Sequence, residues 1–144
     1  DKGFIDDKGY LHITGRVKDI FKTSKGKYIE PSVIESKFEK ANLFQQVCVV
    51  GLNLPQPILL GVPNETALLN KQDTTDKIKE FLQKINSGMD NYKRIEKVVF
   101  LKQEWTPDNN LTTPTLKIKR AKIDERFSVN YENWYKQKES ILWE

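Results

Sequence analysis

Ile13-Thr14-Gly15-Arg16-Val17-Lys18-Asp19-Ile20-Phe21-Lys22-Thr23-Ser24-Lys25-Gly26-Lys27-Tyr28-Ile29-Glu30-Pro31-Ser32-Val33-Ile34-Glu35 is the stretch from which the rest of the chain is read. A strand ends at Thr14-Gly15, and the charged step Arg16-Val17-Lys18-Asp19 follows. A short apolar strand then runs into a basic loop around Gly26, and a helix opens near Pro31. Proline suits a first helical turn because its missing N–H needs no partner there. The order supplies an anchor for an anion, a swivel, and a loop that can lie close to a ligand.

Upstream, Phe4-Ile5 and Tyr10-Leu11-His12-Ile13 flank Asp6-Asp7-Lys8-Gly9, which reads as a β-hairpin with glycine where positive φ is needed. His12, the only histidine, has no cysteine or second histidine near it and reads as a strand surface residue. Downstream, Val33, Ile34, Phe38 and Ala41 share one helical face, and Asn42 is the expected stop. Strands are expected at 44–52 and 58–62, separated by Pro55-Gln56-Pro57, whose prolines cannot donate to a ladder. A helix over 73–87 has Ile78, Phe81, Leu82 and Ile85 as its stripe, a cap at Thr74, Thr75 or Asp76, and Gly88 as its end. Residues 97–101 read as a strand, 105–114 as a polar loop, and 119–127 and 130–142 as two further helices. Tyr131, Trp134 and Tyr135 on the last read as a docking face. The fold class expected is α+β with α/β character: a small mixed sheet of about three strands flanked by helices, after a β-hairpin.

Composition fits that size. The chain has 144 residues, 38% hydrophobic and 31% charged, enough for a modest core and against disorder. No apolar run reaches membrane-spanning length, and no signal peptide is visible. Cys48, the single cysteine, sits in the apolar run Val47–Val50 and reads as structural, so a reducing, cytoplasmic setting is expected. The net charge of +4 is too small to demand nucleic acid, and no reader motif for it is present. The chain starts at Asp1 and its only methionine is Met89, so it reads as a piece of a longer polypeptide.

No Ser-His-Asp set, metal-ligand spacing or phosphate-cradling glycine loop is found. Two cationic clusters do stand out: Arg16, Lys18, Lys22, Lys25 and Lys27, and then Lys117-Ile118-Lys119-Arg120-Ala121-Lys122 after Thr112-Thr113-Pro114-Thr115. Taken alone, each reads as solvated surface charge or as part of a free-standing basic α/β binding module.

The motifs together resemble the adenylate-forming (acyl-CoA synthetase) superfamily at the junction of its large and small domains. The match runs through Asp1-Lys2-Gly3-Phe4-Ile5-Asp6, Gly9-Tyr10-Leu11, Gly15-Arg16, Lys22–Pro31 and Leu111–Arg120, and is most like the long-chain fatty acyl-CoA synthetases. The resemblance implies that residues 1–17 are the terminal hairpin of the large domain and 18–144 a mobile C-terminal lid. It implies that Asp1 binds the ATP ribose, that Arg16 contacts the nucleotide, and that Lys18 and Asp19 form the hinge. It further implies that Gly26, with Lys27, lets the pantetheine arm of CoA pass, and that Lys117 is the catalytic lysine. Lys119 remains the other candidate, because Leu116 stands where most of the superfamily has glycine before that lysine.

A long-chain-fatty-acid–CoA ligase is therefore the implied parent, using ATP, Mg²⁺ and CoA and passing through an acyl-adenylate. This piece is expected to be inactive alone and to hold none of those ligands tightly. Its implied partners are the large domain, ATP or AMP, fatty acid and CoA. No metal site and no nucleic acid partner are expected, and peripheral membrane association of the parent stays open. A lid from an aryl- or medium-chain-acid ligase is the alternative within the superfamily.

Overall fold

The computed structural model describes residues 2–15 and 20–144, with the backbone alone described at 2–4 and 11–15. The expectations for Asp1, Arg16, Lys18 and Asp19 fall outside the described residues. Strands β1 (Lys2–Ile5) and β2 (Leu11–Gly15) form the antiparallel hairpin, pairing Phe4 with His12 and Ile5 with Leu11. A second, smaller hairpin joins β3 (Phe21–Lys22) to β4 (Tyr28–Ile29). Helix α1 (Pro31–Glu39) follows with proline in its first turn.

The body is a four-stranded mixed sheet, one strand larger than expected, in the order β5-β6-β7-β8. Its members are β5 (Phe44–Val50), β6 (Ile58–Pro63), β7 (Val98–Phe100) and β8 (Ile141–Trp143). The first pair is antiparallel and the next two pairs are parallel. Parallel neighbours need crossover connections. The first is made by α2 (Glu65–Leu69) and α3 (Lys71–Ser87), the second by α4 (Arg120–Tyr135).

Side-chain alternation along the strands builds two cores, one on each face. Val47, Val49, Leu59, Val98, Phe100 and Ile141 pack with Ile34 and Phe38 of α1 and Ile78 and Leu82 of α3. Cys48, Val50, Ile58, Leu60, Val62 and Val99 pack with Trp105, Leu111, and Ile123 and Tyr131 of α4. A sheet covered on both faces explains why its strands are near-continuous apolar runs.

Several expectations are corrected. Val33 is 46% exposed and lies off the buried face of α1. Asn70, not Thr74, Thr75 or Asp76, caps α3 by accepting the Asp73 N–H at 3.0 Å. Thr74 is buried instead, its hydroxyl donating to Ala67 O at 2.7 Å. The two last helices are one, α4, and the chain beyond it returns to the sheet as β8. Tyr131, Trp134 and Tyr135 face their own sheet rather than forming an outer docking face. The loop after β7 is not simply polar, since Trp105, Leu111 and Thr112 are buried.

One ring row crosses the first face: Phe44 stacks on Phe100 (centroids 5.1 Å apart), and Phe100 on Trp143 (4.2 Å). Gly61, paired with Val47 and Phe100 in the sheet, makes room for it, because a Cβ there would meet Phe44 Cδ1 at 2.5 Å. Gly61→Ala should therefore lower the urea unfolding free energy by about 1–3 kcal/mol through overpacking. In a Phe44→Ala background the same substitution should be close to neutral, which separates ring clash from backbone effects.

Candidate functional site

One turn geometry recurs in the chain. Asp6, Thr23 and Thr113 each accept, through the backbone carbonyl, the N–H three residues on (3.0, 3.0 and 2.8 Å). Each also donates its own N–H to the carbonyl four residues on (2.9, 2.9 and 2.8 Å). In all of them the side-chain oxygen of that first residue accepts the N–H of the fifth: Tyr10 at 3.0 Å, Lys27 at 3.3 Å, Lys117 at 3.1 Å. The fourth residue is left-handed every time: Gly9 (φ 84°), Gly26 (φ 79°) and Leu116 (φ 66°). Glycine takes that conformation without penalty, whereas leucine there costs about 1–2 kcal/mol.

The second turn carries the Gly26 loop. It is held to the body by Ser24 N–H donating to Leu54 O at 2.9 Å. Gly26 is exposed, and a Cβ on it would meet only Lys22 Cε, at 3.6 Å. The cations beside it rest on rings, Lys22 over Tyr28 (5.6 Å) and Lys27 over Tyr92 (5.5 Å). A cleft of about 730 Å³ opens alongside, lined in part by Tyr28, Val33, Lys37, Tyr92 and Lys93.

The third turn carries Lys117, exposed, on a rigid base. The Gln46 amide brackets Trp105, accepting its N–H and donating to its carbonyl, both at 2.8 Å. Leu111 is buried and its carbonyl accepts the Lys119 N–H at 2.9 Å. Thr112 pairs with Ile118 as an isolated bridge. Past the turn, Arg120 begins α4 and grips Glu35 of α1 with both ends of its guanidinium, at 2.8 and 3.2 Å. Arg120 also donates to Val49 O at 2.9 Å, while Glu35 accepts the Val49 N–H at 2.7 Å.

These partners sort the cations of the second cluster. Lys119 Nζ donates to Asn110 Oδ1 at 2.8 Å, Lys122 pairs with Glu125 at 3.2 Å, and Arg120 is committed to Glu35. Among the described residues the Lys117 ammonium has no hydrogen-bond or ion-pair partner, so it is the member of Lys117–Arg120 available for an incoming anion. Glu35 carries no sequence signal of its own, and Arg120 reads in sequence as part of a solvated cationic cluster; only the fold brings them together across 85 residues. No hydrogen bond, ion pair or ring contact joins the Gly26 and Lys117 loops among the described residues. Nor is there among them a group of three or more His, Cys, Asp or Glu able to hold a metal ion.

Further along α4, Tyr131 OH donates to Asp124 Oδ1 at 2.8 Å. Burial raises the Asp124 carboxyl above its ordinary 3.8, against the pull of the Tyr131 hydrogen bond and the Arg120 charge. Burial, then the Asp124 charge and hydrogen bond, raises the Tyr131 hydroxyl well above its ordinary 10.0.

The family model of the AMP-binding enzyme C-terminal domain matches residues 18–139. A palmitoyl-CoA ligase of Gibberella moniliformis is 30% identical over 91% of this chain and 21% of its own length. A long-chain-fatty-acid–CoA ligase of Mycobacterium tuberculosis is 30% identical over 94% of this chain and 26% of its own. The chain thus spans roughly a fifth to a quarter of such relatives. Among solved structures, the adenylation domain of a carboxylate reductase from Mycobacterium chelonae superposes with a TM-score of 0.74 at 21% identity, over 92% of this chain and 24% of that one. A two-domain piece of a carboxylic acid reductase from Segniliparus rugosus, bound to AMP, gives 0.69 at 19%, over 92% and 21%. These last are likenesses of fold.

Two outcomes follow from the geometry. Glu35→Ala strips the shared acceptor from Arg120 and Val49 and should cost about 3–5 kcal/mol in denaturant unfolding, as for a buried pair that loses one member. For Tyr131, folded and unfolded phenols are both protonated below pH 10; above it the unfolded chain ionises first, so stability falls as pH rises. Tyr131→Phe removes that slope, and the stability gap between wild type and variant should narrow from about pH 9 to about pH 11.

Proposed function

The chain belongs to the AMP-binding enzyme C-terminal domain family, and on that premise we propose that it is the mobile lid of a long-chain-fatty-acid–CoA ligase. The observation that carries the reading is the Lys117 loop: an exposed ammonium without a partner among the described residues, on a turn whose base is fixed by Trp105 and Arg120. The names of the fatty-acid ligase relatives support the choice of acid. Residues 18–144 are the lid and 1–17 the end of the large domain, a division supported by the start of the family match at residue 18.

In the first half-reaction the fatty acid carboxylate oxygen attacks the α-phosphorus of ATP, and the bond to the β-phosphate bridging oxygen breaks to release pyrophosphate. Lys117 places its positive charge between carboxylate and α-phosphate, where negative charge concentrates as they approach. Arg16 holds the nucleotide and Asp1 its ribose; Mg²⁺, carried by the phosphates, would offset their charge. In the second half-reaction the lid turns about Lys18 and Asp19, withdrawing Lys117 and presenting the Gly26 loop. The CoA thiolate attacks the acyl carbon, the acyl–phosphate oxygen bond breaks, and AMP leaves. The open space over Gly26 suits a thin pantetheine arm, Lys27 lies beside it, and Tyr28, Tyr92, Lys37 and Lys93 offer ring faces and charge for the nucleotide end of CoA. The large domain is the partner that supplies the acyl tunnel, so this piece alone is inactive. A cytoplasmic setting, with the lone thiol of Cys48 kept reduced, belongs to the same proposal.

Lys117→Ala in the full-length protein should lower ATP–pyrophosphate exchange by about 100-fold or more, the effect of removing one preorganised charge. Thioester formation from supplied acyl-adenylate should persist. Unchanged exchange would remove Lys117 from the reaction and the lid reading with it.

A further inference from the structure

The Asp6–Tyr10, Thr23–Lys27 and Thr113–Lys117 turns share one hydrogen-bond pattern, yet only the third fills its left-handed position with a side chain. Gly9 and Gly26 show what the geometry favours. Leu116 departs from it in the turn that presents Lys117, and its side chain is 66% exposed. Among the described residues it joins neither core cluster, so the strained residue gains no core packing in return. A conformation held against its own preference, next to a functional group, points to a role for the side chain outside the domain. The surface available is the rest of the polypeptide, since the matched part is 21–26% of relatives such as the two ligases above.

Resting on the lid reading of Lys117, we propose that Leu116 is a positioning residue. When the lid closes for adenylation, its side chain seats against an apolar wall of the large domain of the same protein and fixes how far and in which direction the Lys117 ammonium enters. The turn transmits the placement, because the Leu116 N–H donates to Thr113 O and the Lys117 N–H to Thr113 Oγ1, so one threonine sets the backbone of both residues. In the second half-reaction Lys117 is withdrawn and the contact is not made.

The test uses the full-length protein with Leu116→Gly, Leu116→Met and Lys117→Ala. Leu116→Gly relieves the backbone and should not lower the thermal midpoint, yet should reduce ATP–pyrophosphate exchange about 10- to 100-fold, as for loss of one buried leucine contact. Acyl transfer from supplied acyl-adenylate to CoA should keep at least about half its rate, so the loss is confined to the closed arrangement. Leu116→Met keeps an apolar side chain of similar volume and should stay within about threefold of wild type. Exchange in Leu116→Gly within twofold of wild type would overturn the proposal, as would equal losses in the glycine and methionine variants, or equal losses in the two half-reactions. A loss graded with acyl chain length would also overturn it, placing Leu116 against the acid instead of the domain wall. The Lys117→Ala arm separates the two levels: exchange lost there but intact in Leu116→Gly sinks the positioning role alone, and exchange intact in both sinks the lid reading.

Discussion

The two carboxylate oxygens of Glu35 and the guanidinium of Arg120 meet over a single residue of an edge strand. Among the described residues Val49 of β5 has no sheet neighbour on that side, and its N–H and carbonyl go to Glu35 and Arg120 as they would to another strand. An unpaired edge invites pairing with another chain, and here it is closed by side chains. Glu35 lies on α1, over one face of the sheet, and Arg120 begins α4, over the other. One ion pair therefore fastens both layers to the strand between them. It also fixes where the chain leaves the Lys117 turn, three residues before Arg120. Because the pair is largely buried and hydrogen-bonded at both ends, solvent screening does little to loosen it.

At the far edge a lysine acts in a comparable way. Lys97 is 4% exposed, and its ammonium donates to the carbonyls of Gln137 and Glu139 in the segment between α4 and β8. Those carbonyls lie just beyond the C-terminus of α4, where the negative end of the helix dipole favours a cation. The segment is thereby turned back toward the sheet, and Ile141, Leu142 and Trp143 pair with Val98, Val99 and Phe100. Trp143 then closes the ring row and donates to Thr75 Oγ1 of α3 at 2.7 Å. One cation thus fastens α1 and α4 to the β5 edge, and the other turns the chain into β8, the opposite edge strand.

Most of the elements were legible where one period was long enough to dominate. The α3 stripe, the proline at the start of α1, and the apolar runs of β5, β6 and β7 all read correctly. The end of the chain did not, for a physical reason. Ser128, Val129 and Asn130 are indifferent helix formers and look like a break, but Phe127, Tyr131 and Trp134 pack against the sheet and carry α4 straight through. Three residues of strand give no usable alternation, so β8 hid inside an apparent helical spacing of aromatics. The cap of α3 was misplaced because Asn70 stands ahead of three equally plausible residues, and α2, five residues long, has no periodic signal at all. At the site, the sequence pointed to Lys117 and Gly26 through motif likeness. The Glu35–Arg120 pair depends on long-range contact that neither segment encodes alone. The recurrence of one turn was present in the sequence as Asp-x-x-Gly-Tyr, Thr-x-x-Gly-Lys and Thr-x-x-Leu-Lys, with an oxygen-bearing first residue each time.

That recurrence bears on how the proposed lid would serve two reactions. A loop that had to flex into each site would lose orientational precision, because every added rotamer or backbone state is an alternative to the reactive one. The Gly26 and Lys117 turns instead carry four defined hydrogen bonds or more each when their tethers to Leu54 and Leu111 are included, and both sit on hairpins rooted in the core. Such bonds tie the shape of each tip to the body beneath it. In the lid proposed above, switching falls to rotation of the whole domain, which alters few internal contacts and leaves each tip already shaped when it arrives. Under the proposed reading the identity of the fourth residue in each turn is a choice about what the tip touches: glycine where backbone lies close to a ligand, and a side chain where the tip is stopped at a fixed depth.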